Sequence, residues 1–300
     1  MERRRRVLGS RRAPAGLQTM GDFERDTQVT GSGGRYRATL CEDWNIWGPN
    51  GGYLAAIALR AAGREAAVPR VASFHAHYLS VARFAEVEIE VTEVRRGRRA
   101  ESFRVAVLQD GKPVLEALVR TAAEGPGLVH DVARCPEVPR PESLANVAEI
   151  LERHGIDRGP RYAFWQNLEA RPCDPERVVE GPKARPPLWR EWYRFRPRAT
   201  FDDPWVDAGR YLLLVDTLSW PAACQPHPES GFTAPSLDVA VWFHRAVPDE
   251  PWLLADHVSP LGERGLLGTM GQIWSRDGRL VASGGSQLLC IPPRPAAAPG

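Results

Sequence analysis

Three hundred residues, 43% of them hydrophobic, suffice for two small domains or one large one around a substantial core. Lys+Arg 39 against Asp+Glu 37 leaves almost no net field, which excludes a general nucleic-acid binder and a protein held electrostatically on an anionic membrane. Cys41, Cys135, Cys173, Cys224 and Cys290 form no CxxC pair that would grip zinc, and no stretch approaches the roughly twenty apolar residues of a membrane span, so a globular protein of the reducing cytoplasm is expected, with no metal and no cofactor.

In chain order, residues 1–20 are arginine-rich and contain Pro and Gly, without the apolar core of a secretory signal; they are expected to be a disordered basic tail. Arg35 to Leu40 reads as an opening strand. A small-residue turn, Gly48-Pro49-Asn50-Gly51-Gly52, leads into an apolar helix from Tyr53 to Ala62, with Asn50 near its cap and a stop at Gly63. Its apolar residues cover most of the circumference, so it should be surrounded by protein. Val71 to Tyr78 is the next strand, and Glu86 to Val91 alternates strictly. Arg96-Gly97-Arg98 turns the chain, Phe103, Val105 and Val107 repeat at period two, and Asp110-Gly111 makes a hairpin into Pro113 to Thr121.

Residues 125–187 are rich in proline and charge and read as a linker with one helix, Pro141 to His154. The plan then repeats at a distance of about 167 positions. Trp189 to Phe195 is an opening strand, Asp207 to Arg210 leads into a second apolar helix from Tyr211 to Leu218, and Pro221 ends it. Strands follow at Ser236 to His244, Trp252 to His257, through Trp274, and Leu280 to Leu289, with turns at Arg264-Gly265 and Asp277-Gly278. The division is 21–124 for the first unit, 125–187 for the linker, 188–292 for the second unit and 293–300 for a tail.

An antiparallel sheet curling round one long apolar helix leaves an edge that needs a partner, and two such units side by side supply it. The fold class expected is α+β, a double hotdog with two antiparallel sheets, each wrapped around a central apolar helix. Trp47-Gly48-Pro49-Asn50-Gly51-Gly52-Tyr53, Ser73-Phe74-His75-Ala76-His77-Tyr78-Leu79, Gln109 to Val114, Ser236-Leu237-Asp238, Trp242 to Arg245 and Arg276 to Ser283 follow one another in a characteristic order and spacing. On these motifs the chain, from about Arg35 onward, resembles the acyl-CoA thioesterase II family. The resemblance implies hydrolysis of an acyl-CoA thioester.

Asp216 stands out without any resemblance: a carboxylate among Leu212, Leu213, Leu214, Val215 and Leu218 on a helix that should be buried, where the first copy has Ala58. The structural alternative is that it caps a strand or accepts a hydrogen bond from Trp220. The resemblance implies that this acid deprotonates a water, helped by a hydroxyl at the start of a strand and an amide near the C-terminal strand. Ser236 fits the hydroxyl position, where the family pattern has threonine. Gln287 is favoured for the amide, but it sits one residue late and places Ser286 at the nominal position unless Gly284-Gly285 forms a bulge. The helix start at Gly51, Gly52 and Tyr53 offers backbone N–H groups to an oxyanion, although the glycines are equally compatible with a plain tight turn. His75 and His77 are read as packing residues. The competing functions are a hydratase or dehydratase on the same fold, and an acyl-CoA-binding protein without turnover. A homo-oligomer is expected, with neither nucleic acid nor membrane insertion.

Overall fold

The computed structural model describes residues 20–159 and 162–293, so the basic stretch before Met20 and the segment 294–300 lie outside the described residues. A one-turn helix α1 (Phe23–Asp26) precedes β1 (Thr30–Ser32) and β2 (Arg35–Thr39), after which come the long helix α2 (Gly51–Glu65) and strands β3 (Val71–Tyr78), β4 (Glu86–Arg96), β5 (Ala100–Gln109) and β6 (Lys112–Ala122). The connecting segment carries α3 (Val147–Arg153), β7 (Leu168–Pro172) and α4 (Glu176–Val179). The second half runs β8 (Leu188–Phe195), α5 (Pro204–Thr217), α6 (Ser219–Ala223), β9 (Asp238–Phe243), β10 (Leu253–Glu263), β11 (Leu266–Ser275), β12 (Leu280–Gly285) and β13 (Gln287–Leu289).

The strands form one antiparallel sheet, in the order β1-β2-β4-β5-β6-β3 and onward through β9-β12-β11-β10-β8-β7, with β13 on β11. Each half therefore has the same internal order, read in opposite directions, and the two expected sheets are a single continuous one. The seam is the pairing of β3 with β9, from Ser73↔Trp242 to His77↔Asp238. Joining the halves there removes the open edge that either would present alone.

The two long helices lie on the same side of this sheet and run antiparallel. Gly52 of α2 meets Leu213 of α5, and Gly209 of α5 meets Ala56 of α2. A Cβ at Gly52 would fall 2.7 Å from Leu213 Cα, so glycine sets how closely the helices approach. In α2, Gly52 to Leu59 are all buried, because sheet covers one side and α5 the other. The helix passes through Gly63 instead of stopping there. Gly63 is the place where the Trp205 ring lies across the helix, a Cβ coming within 2.4 Å of it. Asn50 caps the start by accepting from Tyr53 N–H at 2.9 Å.

Helix α5 begins at Pro204, capped by Asp203, earlier than the apolar run suggested. Its first turns carry Asp207 and Arg210, which interrupt the apolar pattern and yet are fully buried as a pair. Leu212, Leu213, Leu214 and Val215 are completely enclosed, each contributing about 1.5–3 kcal/mol of transfer free energy. The helix stops at Thr217, four positions before Pro221, where the proline ring would meet the carbonyl it can no longer bond. Pro221 itself lies inside α6.

Hairpins fall at the expected turns: Asp110-Gly111 and Arg264-Gly265 have both residues at positive φ. The connecting segment departs from expectation. The helix foreseen at Pro141 to His154 is a 3-10 turn (Pro141–Ser143) followed by α3, which Asn146 and Glu149 start with a reciprocal capping box. Leu168–Pro172 adds an edge strand to β8, and Ala133, Cys135, Val138 and Leu144 pack on Trp192, Trp252, Leu254 and Trp274, so the segment builds a second small core. No helix among the described residues is long and apolar enough to cross a membrane.

Candidate active site

Antiparallel packing brings the N-terminus of α2 to the C-terminal end of α5. At this junction Gly51 faces Asp216: a Cβ on Gly51 would lie 2.9 Å from Asp216 Oδ2 and 3.0 Å from the Tyr78 ring. The helices are tied here by Asn50 Nδ2, which donates to Thr217 Oγ1 at 3.1 Å. Across the seam, Tyr78 N–H donates to Leu237 O at 2.9 Å, which sets Ser236 beside the end of β3. A cavity of about 490 Å3 opens over the junction, lined among others by Trp47, Gly51, Tyr78, Asp216, Trp220 and Ser236. That volume lies within the range of small-molecule sites.

Asp216 is buried, and its Oδ1 has no hydrogen-bond partner. Burial drives its carboxyl up to about 6; the Ser236 and Tyr78 hydroxyls and the Gly52 N–H pull it down, and the negative charge of Asp238 pushes it up again. A carboxyl poised there is ionised at neutral pH yet basic enough to take a proton from water. The structural role considered for it, accepting from Trp220, is not made. Trp220 instead packs edge-on against Trp47, ring centres 6.3 Å apart.

The remaining expected residues divide. Ser236 lies on the cavity wall next to Asp216, and so does Gly51. Gly52 is packed on the Leu213 backbone and directs its N–H to the acid. Tyr53 gives its N–H to the Asn50 cap and its hydroxyl to Asp26 O at 2.7 Å, so it is a core residue and not an oxyanion donor. Gly51 is thus the one of the three whose N–H is engaged by neither Asn50 nor Asp216.

Gln287 is a correction. Its side chain is exposed and does not line the cavity, while Ser286 before it is buried. The reason is register: β12 and β13 keep one alignment against β11, Gly271↔Gly284 through Gly268↔Gln287, so no bulge at Gly284-Gly285 reverses the facing. Ser286 is held through its backbone by Thr269, whose Oγ1 donates to Ser219 or Ser286 O at 2.8 and 2.9 Å. His75 and His77 are exposed on the outer face of β3, with His75 edge-on to Trp242. The His, Cys, Asp and Glu side chains close enough together to hold a metal among the described residues are Asp26, Cys41 and Asp43. They lie outside the cavity, and Asp26 already accepts from Asp22 N–H and Trp44 Nε1.

Sequence reasoning missed Tyr78 as a site residue, although the alternation of β3 held the signal. Phe74 and Ala76 are buried, so Tyr78 shares their face and points toward the helices.

Residues 40–122 match the family model described as acyl-CoA thioesterase N-terminal domain, and residues 133–290 the one described as acyl-CoA thioesterase C-terminal domain. Among solved structures, the chain is similar to an acyl-CoA thioesterase II, TesB2, from Mycobacterium marinum, with a TM-score of 0.73 at 22% identity over 91% of this chain and 99% of that one. A tesB protein from Mycobacterium avium subs paratuberculosis gives 0.73 at 25% identity over 91% and 99%. A hot dog fold protein of unknown function from Alicyclobacillus acidocaldarius gives 0.75 at 20% identity over 92% and 100%.

Proposed function

Because this chain belongs to the acyl-CoA thioesterase family, we propose that it hydrolyses acyl-CoA at the junction of its two long helices, with a water activated by Asp216. The single observation that carries this reading is a buried carboxylate with an unengaged oxygen, poised near neutrality on the wall of a cavity. The two halves are read as two fused hotdog units, 21–124 and 188–292, joined by 125–187; the mirrored strand order and the shared seam support this.

The steps follow from the placement of the groups. The thioester carbonyl sits against the start of α2, where the Gly51 N–H and the partial positive charge of the helix end polarise it. Asp216 removes one proton from the water as its oxygen bonds to the carbonyl carbon, and the carbonyl electrons move onto the oxygen facing Gly51. Collapse of that oxyanion breaks the C–S bond. The departing CoA thiolate takes the proton from Asp216, leaving a free acid, which ionises, and CoA thiol. Ser236 steadies the water and the carboxylate. The exposed Leu118, Trp242 and Met270 on the sheet's outer face support a homo-oligomer.

The test is release of free thiol from short, medium and long acyl-CoAs. Asp216→Asn is expected to lower kcat/KM by about 10²–10⁴-fold, the usual worth of a general base, with the fold retained. Undiminished release by that variant overturns the mechanism, and hydration of an enoyl-CoA without thiol release replaces it with the hydratase reading.

A further inference from the structure

Tyr78 ends β3 with its ring half-buried and its hydroxyl oxygen fully enclosed; the hydroxyl acts on the Asp216 carboxyl beside it, but it completes no hydrogen bond of ordinary geometry. Enclosing a hydroxyl whose hydrogen-bonding capacity is left incomplete costs free energy, up to about 1–3 kcal/mol, that phenylalanine would avoid while filling the same space. The oxygen is also placed with care. A single point above Gly51 lies 3.1 Å from Tyr78 Oη and 2.9 Å from Asp216 Oδ2, so both oxygens face the same small volume at the mouth of α2. The volume belongs to the cavity, whose wall includes Gly51, Tyr78, Asp216 and Ser236. No amide from the C-terminal strand reaches it, since Gln287 is exposed and neither it nor Ser286 lines the cavity.

We propose that Tyr78 is a catalytic residue that holds the attacking water: its hydroxyl donates to the Asp216 carboxylate and accepts one proton of the water, while Asp216 accepts the other. The proposal rests on the hydrolysis reading above. A phenol has one donor and free lone pairs, so it serves both contacts at once. With both water protons held, the lone-pair side of the water oxygen is directed toward the thioester carbon over Gly51. Tyr78 keeps its own proton throughout, because burial and the nearby Asp216 charge raise its pKa well above the ordinary value. The proton removed from water goes to Asp216 and from there to the thiolate, so no step requires the phenolate.

The experiment is Tyr78→Phe, which removes one oxygen and preserves the ring, assayed by thiol release across pH alongside Asp216→Asn. Loss of a hydrogen bond to a charged group predicts a fall in kcat of about 10- to 100-fold with KM within about twofold. The acid limb of kcat/KM should also move to higher pH, because Asp216 loses a donor that holds its pKa down, while Ser236, the Gly52 N–H and the opposing charge of Asp238 remain. A purely structural role would lower the melting temperature and leave the limb in place. Wild-type kcat, or a reduced kcat with an unmoved limb, overturns the proposal. If Asp216→Asn stays active, the hydrolysis reading itself fails. An inactive Asp216→Asn beside a wild-type-like Tyr78→Phe removes only the role of Tyr78.

Discussion

Helix α5 buries an acid near each end, and the two are buried for opposite reasons. Asp207, 1% exposed, accepts from Arg210 Nε at 3.1 Å, from Arg210 Nη2 and from the Tyr211 hydroxyl. Arg210 spends its other three protons on Ala199 O, Glu250 O and Val247 O at 2.7, 2.9 and 3.2 Å, so the whole group is saturated and locks the start of the helix to the loops around it. Asp216, 5% exposed, has an oxygen with no partner and faces a cavity. Burial of a carboxylate is therefore no mark of catalysis. What separates a strut from a reactive group is whether its hydrogen-bonding capacity has been used.

The contrast sharpens under mutation. Asp207→Ala strands the Arg210 guanidinium in the core and should cost about 3–5 kcal/mol, read as a lowered urea midpoint, with activity per folded molecule almost unchanged. A variant as stable as the parent would break the distinction. Asp216→Asn should move stability the other way. The Asp216 carboxyl is held above its ordinary value, so the folded protein binds more protons than the unfolded chain between pH 3.8 and about 6. Its contribution is most favourable below 3.8 and declines as pH rises through about 6, beyond which the ionised group opposes folding by about 3 kcal/mol at 1.36 kcal/mol per unit. The asparagine variant should therefore gain stability over the parent as pH is raised from 4 to 8. A constant difference across that range would show that Asp216 is not held above its ordinary value. The smallest effect is expected at Gln287, whose alanine variant should change kcat/KM by less than about twofold and stability by less than about 0.5 kcal/mol, as for an exposed side chain. A loss comparable to that of Asp216→Asn would restore it to the site.

Residues with a strong local reason for their position were readable in the chain itself. The glycine turns at Gly97, Gly111, Gly265 and Gly278, the alternation of Glu86 to Val91 and the apolar runs of the two helices each obey rules that act over a few residues. Asp216 was visible for the same reason, a charge in an apolar run. Less legible were features whose cause lies far along the chain. Gly63 looked like a helix stop because its partner, Trp205, is remote, and Leu168–Pro172 looked like linker because only β8 makes it a strand. Pro221 was legible as a breaker, but the break falls at the carbonyl it would clash with.

The sequence alone determined the duplication, the buried helices and the one acid out of keeping with its neighbours, because these follow from periodicity and the cost of burying charge. Only the tertiary structure decided which groups meet that acid. Strand facing turns on register, so a single residue separates buried Ser286 from exposed Gln287. Tyr78, Gly51 and Asp216 come from β3, α2 and α5, elements that converge only when the helices pack antiparallel beneath the joined sheet.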